Sequence, residues 1–171
     1  MKKGLILVLL LAVLSLSGCR YIDTGSDLAD QTLEQLIHAV EARDAAAVKS
    51  MFAPAVIDDT DSMDQQVSKL LDFCTGGMTG YVRYGPSTHM SRCGTVRTKY
   101  LQASFDLTTT EGDYRIALRI CVTDSENPKN VGITSMHIIR RENSDPSHAY
   151  WGTNLDQTVG IFIEDPAVWT D

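Results

Sequence analysis

Arg119 and His137 are the side chains best suited to hold an anionic ligand. A guanidinium reads a carboxylate through two parallel N–H bonds. An imidazole changes its charge close to neutral pH. Arg119 alternates with Leu118 and Ile120, so it stands on the opposite face of its strand from that apolar pair. Alternation leaves open whether that face lines a polar pocket or meets solvent. His38, His89 and His148 have no partner at triad or metal spacing. There is no Gly-x-Ser-x-Gly elbow and no dinucleotide fingerprint. Gly76-Gly77 and Gly80 follow a helical pattern, the wrong context for a phosphate loop. No cofactor is expected. Cys74, Cys93 and Cys121 match no CxxC-type spacing, with or without His89, so no metal site is expected either. Three thiols leave open both free buried cysteines and one disulfide with a thiol over.

The chain begins Met1-Lys2-Lys3, and an uncharged, almost wholly aliphatic run follows from Gly4 to Leu14. Small residues then lead to Cys19. A basic start, a short apolar run and a small-residue site read as a secretory signal. The run is too short to span a bilayer, which takes about 20 apolar residues. Leu16-Ser17-Gly18-Cys19 resembles the bacterial lipobox, which implies cleavage before Cys19 and a diacylglyceryl group on its sulfur. Cys19 is then a lipidation site and not a catalyst. Residues 1–18 form the signal peptide, 19–26 the lipidated cysteine and tether, and 27–171 one domain. The expected location is the outer face of the cytoplasmic membrane, with the membrane as partner through the lipid.

The formal net charge of the 171 residues is −7. It becomes −9 after cleavage, because Lys2 and Lys3 leave and no acid does. That balance argues against a phosphate-backbone binder, so no nucleic-acid partner is expected. An acidic domain is repelled by anionic headgroups and should not lie flat on them. Apolar residues make up 43%, enough for a core in one domain. Arg83, Arg92, Arg97 and Lys99 form the one mild basic cluster. It reads as a solvated strand face, with a positive patch as the alternative.

The elements that must position these residues follow from periodicity. Leu33, Leu36, Ile37 and Val40 make an apolar helical stripe, capped by Ser26 or Asp27. A shorter helix begins at Asp44 and is stopped by Pro54. A third is capped by Asp61, repeats the spacing at Val67, Leu70, Leu71 and Cys74, and ends at Gly76-Gly77. Tyr81, Val82 and Tyr84 read as a short strand. Alternation over Thr95–Thr110 and Tyr114–Val122, across a Glu111-Gly112-Asp113 turn, predicts a long antiparallel hairpin. Val131–Arg141 is a further strand, and Gly160–Ile163 a short last one. Helices first and antiparallel strands after them give an α+β fold.

Two stretches carry a resemblance. Leu36 to Phe52 runs helix, Ala-Arg-Asp corner (Ala42-Arg43-Asp44), helix and Met51-Phe52. The hairpin Tyr100–Val122 is followed by Gly132-Ile133-Thr134-Ser135-Met136-His137-Ile138-Ile139. Both resemble nuclear-transport-factor-2-like (cystatin-like) domains, over residues 28–141. With the lipobox, Tyr114-Arg115-Ile116 and Val131-Gly132-Ile133 are similar to a group of small Gram-positive lipoproteins of unknown function. The resemblance implies a cone: three N-terminal helices on a curved antiparallel sheet of four to five strands, with a pocket at the wide end.

Members of that superfamily include ketosteroid isomerase-like enzymes, dehydratases, ligand binders and adaptors, so fold does not give function. An isomerase there needs a carboxylate base and hydroxyl donors for an oxyanion. The chain offers Asp106, Tyr81, Tyr84, Tyr100 and Tyr114. Asp106 alternates with Phe105 and Leu107 and is expected to face solvent if they line the core. Arg119, His137 and Tyr114 are the candidate pocket residues. The favoured expectation is a non-enzymatic binding or interaction domain for a small ligand or a cell-envelope protein. A small enzyme using a pocket acid is the alternative. Homodimerisation fits both.

Overall fold

The computed structural model describes residues 25–93, 95–144 and 157–163. Cys19, the signal segment and His148 lie outside the described residues, and so do the side chains of His89, Arg92 and Cys93. Among the described residues the fold is α+β, with four α-helices and a five-stranded mixed sheet.

Helix α1 (Gly25–Glu41) buries Ala29, Leu33, Leu36, Ile37 and Ala39 on one stripe. Arg43 takes a positive φ of 52° at the corner that follows. Asp44 caps α2 (Ala45–Ser50) by accepting the Ala47 N–H at 2.9 Å. The corner and α2 thus form where the sequence places them, but α1 starts earlier than expected: Ser26 and Asp27 lie inside its first turn and do not cap it. Pro54 does more than stop a helix, however. It opens a further one, α3 (Pro54–Asp59), from its first position. A fixed φ and a missing N–H suit proline to that place. Helix α4 (Met63–Phe73) is preceded by Ser62, not Asp61, at its N-cap, without a side-chain capping bond.

Strands β1 (Met78–Cys93), β2 (Val96–Thr109), β3 (Asp113–Asp124) and β4 (Gly132–Arg140) run as an antiparallel meander. Strand β1 is far longer than the short strand expected around Tyr81. Gly85-Pro86 reads as a break in the sequence, but it falls in a register shift between Tyr84 and Ser87 that the strand passes through. Proline is tolerated there because β1 is an edge strand with one unpaired side. Strand β5 (Gly160–Ile163) joins β4 parallel, not antiparallel. Its position is tied to the helices by the Ile161 N–H, which donates to Gln66 Oε1 of α4 at 2.9 Å.

The core lies between the helices and one face of the sheet. Leu101, Phe105, Tyr114, Leu118, Met136 and Ile138 meet Leu33, Leu36, Val67 and Leu70 there. A second seam closes the end of the sheet. Ile133 donates its N–H to Met51 O and accepts from Ala53 N, at 3.0 and 2.9 Å. Gly132 (φ +134°) permits this approach, since a Cβ there would lie 2.7 Å from Ala53 N.

Candidate functional site

The sheet separates the sequence's candidate residues onto two faces. Tyr114 is on the helix side. Arg119, His137 and Asp106 are on the other.

On the helix side, a cleft lies between α1, the end of α4 and the sheet. Leu36, Val40, Cys74, Met78, Leu107 and Tyr114 line part of it, and its volume is about 50 Å3. One water-sized group needs about 10–15 Å3, so the cleft holds a few such groups. Tyr114 is 1% exposed. Its hydroxyl accepts the Thr75 N–H at 2.9 Å and donates to Phe73 O at 3.1 Å. It thereby pins the end of α4 to β3. The Phe73 ring meets the Tyr114 ring edge-on at 5.6 Å. Burial pushes the Cys74 thiol up to about 12, against a smaller opposing effect of Arg140. A thiol so raised stays protonated and unreactive at neutral pH. Cys74 and Cys121 are both free thiols.

On the other face, Asp106 is not solvated. It is 4% exposed, beneath side chains of its own face. Arg115 Nε donates to Asp106 Oδ1 at 2.7 Å, and Arg115 Nη2 donates to Oδ2 at 3.0 Å. The Tyr84 hydroxyl donates to Oδ2 at 2.6 Å. Arg141 Nε stands 3.4 Å from Oδ2 and Arg141 Nη1 3.5 Å from Asp113. Burial alone raises the Asp106 carboxyl. The Arg115 and Tyr84 hydrogen bonds and the two positive charges outweigh it and hold the carboxyl below its ordinary value. The same hydrogen bond to Asp106 raises Arg115.

Arg119 lies further along this face, with its guanidinium carbon 3.9 Å from the centre of the Tyr100 ring. Burial raises the Tyr100 hydroxyl, and Cys121 beside it adds to the effect. His137, 6% exposed, is held differently. Its Nε2 is 2.9 Å from Thr158 Oγ1, which is 2.8 Å from Ser135 Oγ. Phe162 of β5 covers the ring at 5.0 Å. The structure thus brings His137 together with Ser135 and Thr158, and Asp106 with Tyr84, Arg115 and Arg141. It sets both groups apart from Tyr114. Tyr81 is also on the helix side, where its hydroxyl donates to Glu34 at 3.1 Å. His38 is exposed on α1.

Sequence reasoning missed Arg115, Arg141, Ser135 and Thr158. For Arg115 a signal was present. The Glu111-Gly112-Asp113 turn sets Thr108 opposite Asp113, and the same register sets Asp106 opposite Arg115. Opposite charges at one cross-strand position pair. Arg141 and Thr158 arrive from beyond β4 and from the approach to β5, and no local pattern announces them.

Fold and site together define a small α+β domain with a small apolar cleft on its helix side and polar and aromatic side chains on the other face of its sheet. A family described as a domain of unknown function (DUF5104) matches residues 35–141, more than half of the chain, and the protein belongs to it. The match takes in Tyr84, Asp106, Arg115, Tyr114, Arg119 and His137, and ends before Thr158 and β5. No curated protein matches the chain.

Proposed function

We propose that the protein is a lipid-anchored, extracytoplasmic binding domain of nuclear-transport-factor-2-like, cystatin-like type. Its ligand or partner contacts the strand face and not the helix-side cleft. One observation carries this reading: the helix-side cleft beside Tyr114 holds only about 50 Å3, whereas Tyr84, Tyr100, Arg119 and the Asp106 cluster stand on the opposite face. Val82 (62% exposed) and Tyr84 (47%) add apolar surface beside that cluster. Exposed aromatic and arginine side chains are the common anchors of binding surfaces. The lipobox pattern at Leu16–Cys19 supports the anchor.

The enzymatic alternative asks for a base whose pKa sits near the working pH. Asp106 is held ionised by two arginines and a phenol, which makes it a weak proton acceptor. Tyr114, the buried phenol of the cleft, spends its proton on Phe73 O. These arrangements suit a scaffold better than proton transfer.

The test is amide NMR of the isotopically labelled, lipidated chain in micelles, titrated with soluble peptidoglycan fragments and then with detergent-solubilised envelope proteins. Shifts should gather at Tyr84, Tyr100 and Arg119. Shifts confined to Leu36, Val40 and Leu107 would move the site into the cleft and defeat the proposal.

A further inference from the structure

Arg115 and Arg119 stand on the same face of β3, and only the first has a counter-ion. Arg115 lies opposite Asp106 in the β2–β3 register and donates to both of its carboxylate oxygens. Arg119 lies opposite Gln102 on β2 and Ser135 on β4. Neutral side chains thus hold both lateral positions from which an acid could pair with it. Among the described residues no carboxylate pairs with Arg119. Its hydrogen-bond contact is Nη1 to Thr134 Oγ1 at 3.5 Å, beyond the usual range of such bonds.

The acids along the sheet do not replace the missing partner. Asp106 is four residues along, a separation of about 13 Å, and it is engaged by Arg115, Arg141 and Tyr84. Asp124, at the far end of β3, accepts the Glu126 and Asn127 N–H groups on Oδ1 and the Asn130 amide on Oδ2. Surface charges are largely screened beyond about 8 Å at physiological salt. The Arg119 guanidinium is nevertheless held in place, with its carbon 3.9 Å from the centre of the Tyr100 ring and the residue half-buried. A ring beneath a guanidinium fixes its plane and leaves the in-plane N–H fork for a planar acceptor. A half-buried charge without a counter-ion bears a desolvation cost that pairing offsets.

We propose that Arg119, stacked on Tyr100, binds the terminal carboxylate of a peptide ligand, which does at Arg119 what Asp106 does at Arg115. The inference rests on the strand-face reading above and names the ligand of that face. Gln102, half-buried opposite Arg119, has a side-chain amide with no hydrogen bond among the described residues. It is placed to take the peptide group next to the carboxylate. A monoanion suits the site better than a phosphate dianion, since one uncompensated cation on a chain of net charge −7 leaves a dianion in excess.

The test follows the arginine Nε–Hε signals and the backbone amides of the isotopically labelled full chain in detergent micelles. Arg119→Lys identifies the Arg119 signal. The probes are N-acetyl-alanyl-alanine as the free acid, the same dipeptide as its C-terminal amide, and inorganic phosphate. The free acid should shift the Arg119 signal and the Gln102 side-chain amide. The dipeptide amide and phosphate should each bind about tenfold more weakly or less. Gln102→Glu sets a carboxylate opposite Arg119, as Asp106 is set opposite Arg115. It should leave the urea midpoint equal or higher and weaken the free acid by about tenfold or more. Arg119→Lys, which keeps the charge and removes the fork, should also weaken it. An equal response to the dipeptide amide or to phosphate, or undiminished binding by Gln102→Glu, overturns the carboxylate site. No shift at Arg119 overturns it as well, and the strand-face reading survives that result if the Tyr84 amide still moves. Shifts confined to Leu36, Val40 and Leu107 contradict both.

Discussion

Asp106 and Tyr114 show how one sheet uses buried polar groups on its two faces for structural ends. Asp106 is an ionised carboxylate that three donors and a second arginine make affordable. Removing its charge while keeping its shape leaves Arg115 uncompensated. Asp106→Asn should lower stability by about 3 kcal/mol at pH 7. The sign with pH follows from the lowered carboxyl. Its stabilisation is present above the ordinary value of 3.8 and is lost as pH falls through the folded-state value below it. Urea unfolding at pH 7 and pH 3 checks this: the deficit of the variant should shrink at pH 3, and an equal deficit at both would contradict the ion-pair account. Tyr114→Phe deletes a single oxygen and strands the Thr75 N–H and Phe73 C=O. A loss of about 1–2 kcal/mol is expected, read as a lower urea midpoint.

At the scale of elements, the connection through Gly132 is the most exacting. Met51 and Ala53 bond to Ile133 across it, and no side chain fits between. Gly132→Ala should cost about 2 kcal/mol or more, from a strained positive φ and a backbone clash. Hydrogen exchange should locate the damage at Ile133 and Ala53; a neutral substitution would contradict the close approach. This seam also marks how far the fold was legible. The helical stripes of α1 and α4 and the β2–β3 hairpin show in the sequence because each buries one face at its own period. Pro54 was ambiguous because proline both ends and begins helices. Strand β1 outruns the short pattern of Tyr81, Val82 and Tyr84 because an edge strand absorbs Gly85-Pro86 in a register shift, which alternation does not show. The parallel direction of β5 depends on the path taken over residues 144–159, which periodicity does not record. The site was legible to the same degree: alternation separates Asp106 and Arg119 from the core face, but only the hairpin register pairs Asp106 with Arg115, and only tertiary packing brings Arg141 to it.

At the scale of the whole molecule, the proposed lipid anchor decides where the domain sits. Two or more acyl chains hold a protein on a bilayer stably where one does not. Cys19→Ala should accordingly move the protein out of the membrane fraction, and fractionation of cells expressing each form checks it. Retention of the variant in membranes would mean another hold.

The most direct measurement is the intact mass of the protein extracted from membranes. An anchored domain should yield a chain that begins at Cys19 and carries the added mass of a diacylglyceryl group. A chain that retains residues 1–18, or one that starts elsewhere without lipid, would contradict the anchored binding domain at its foundation.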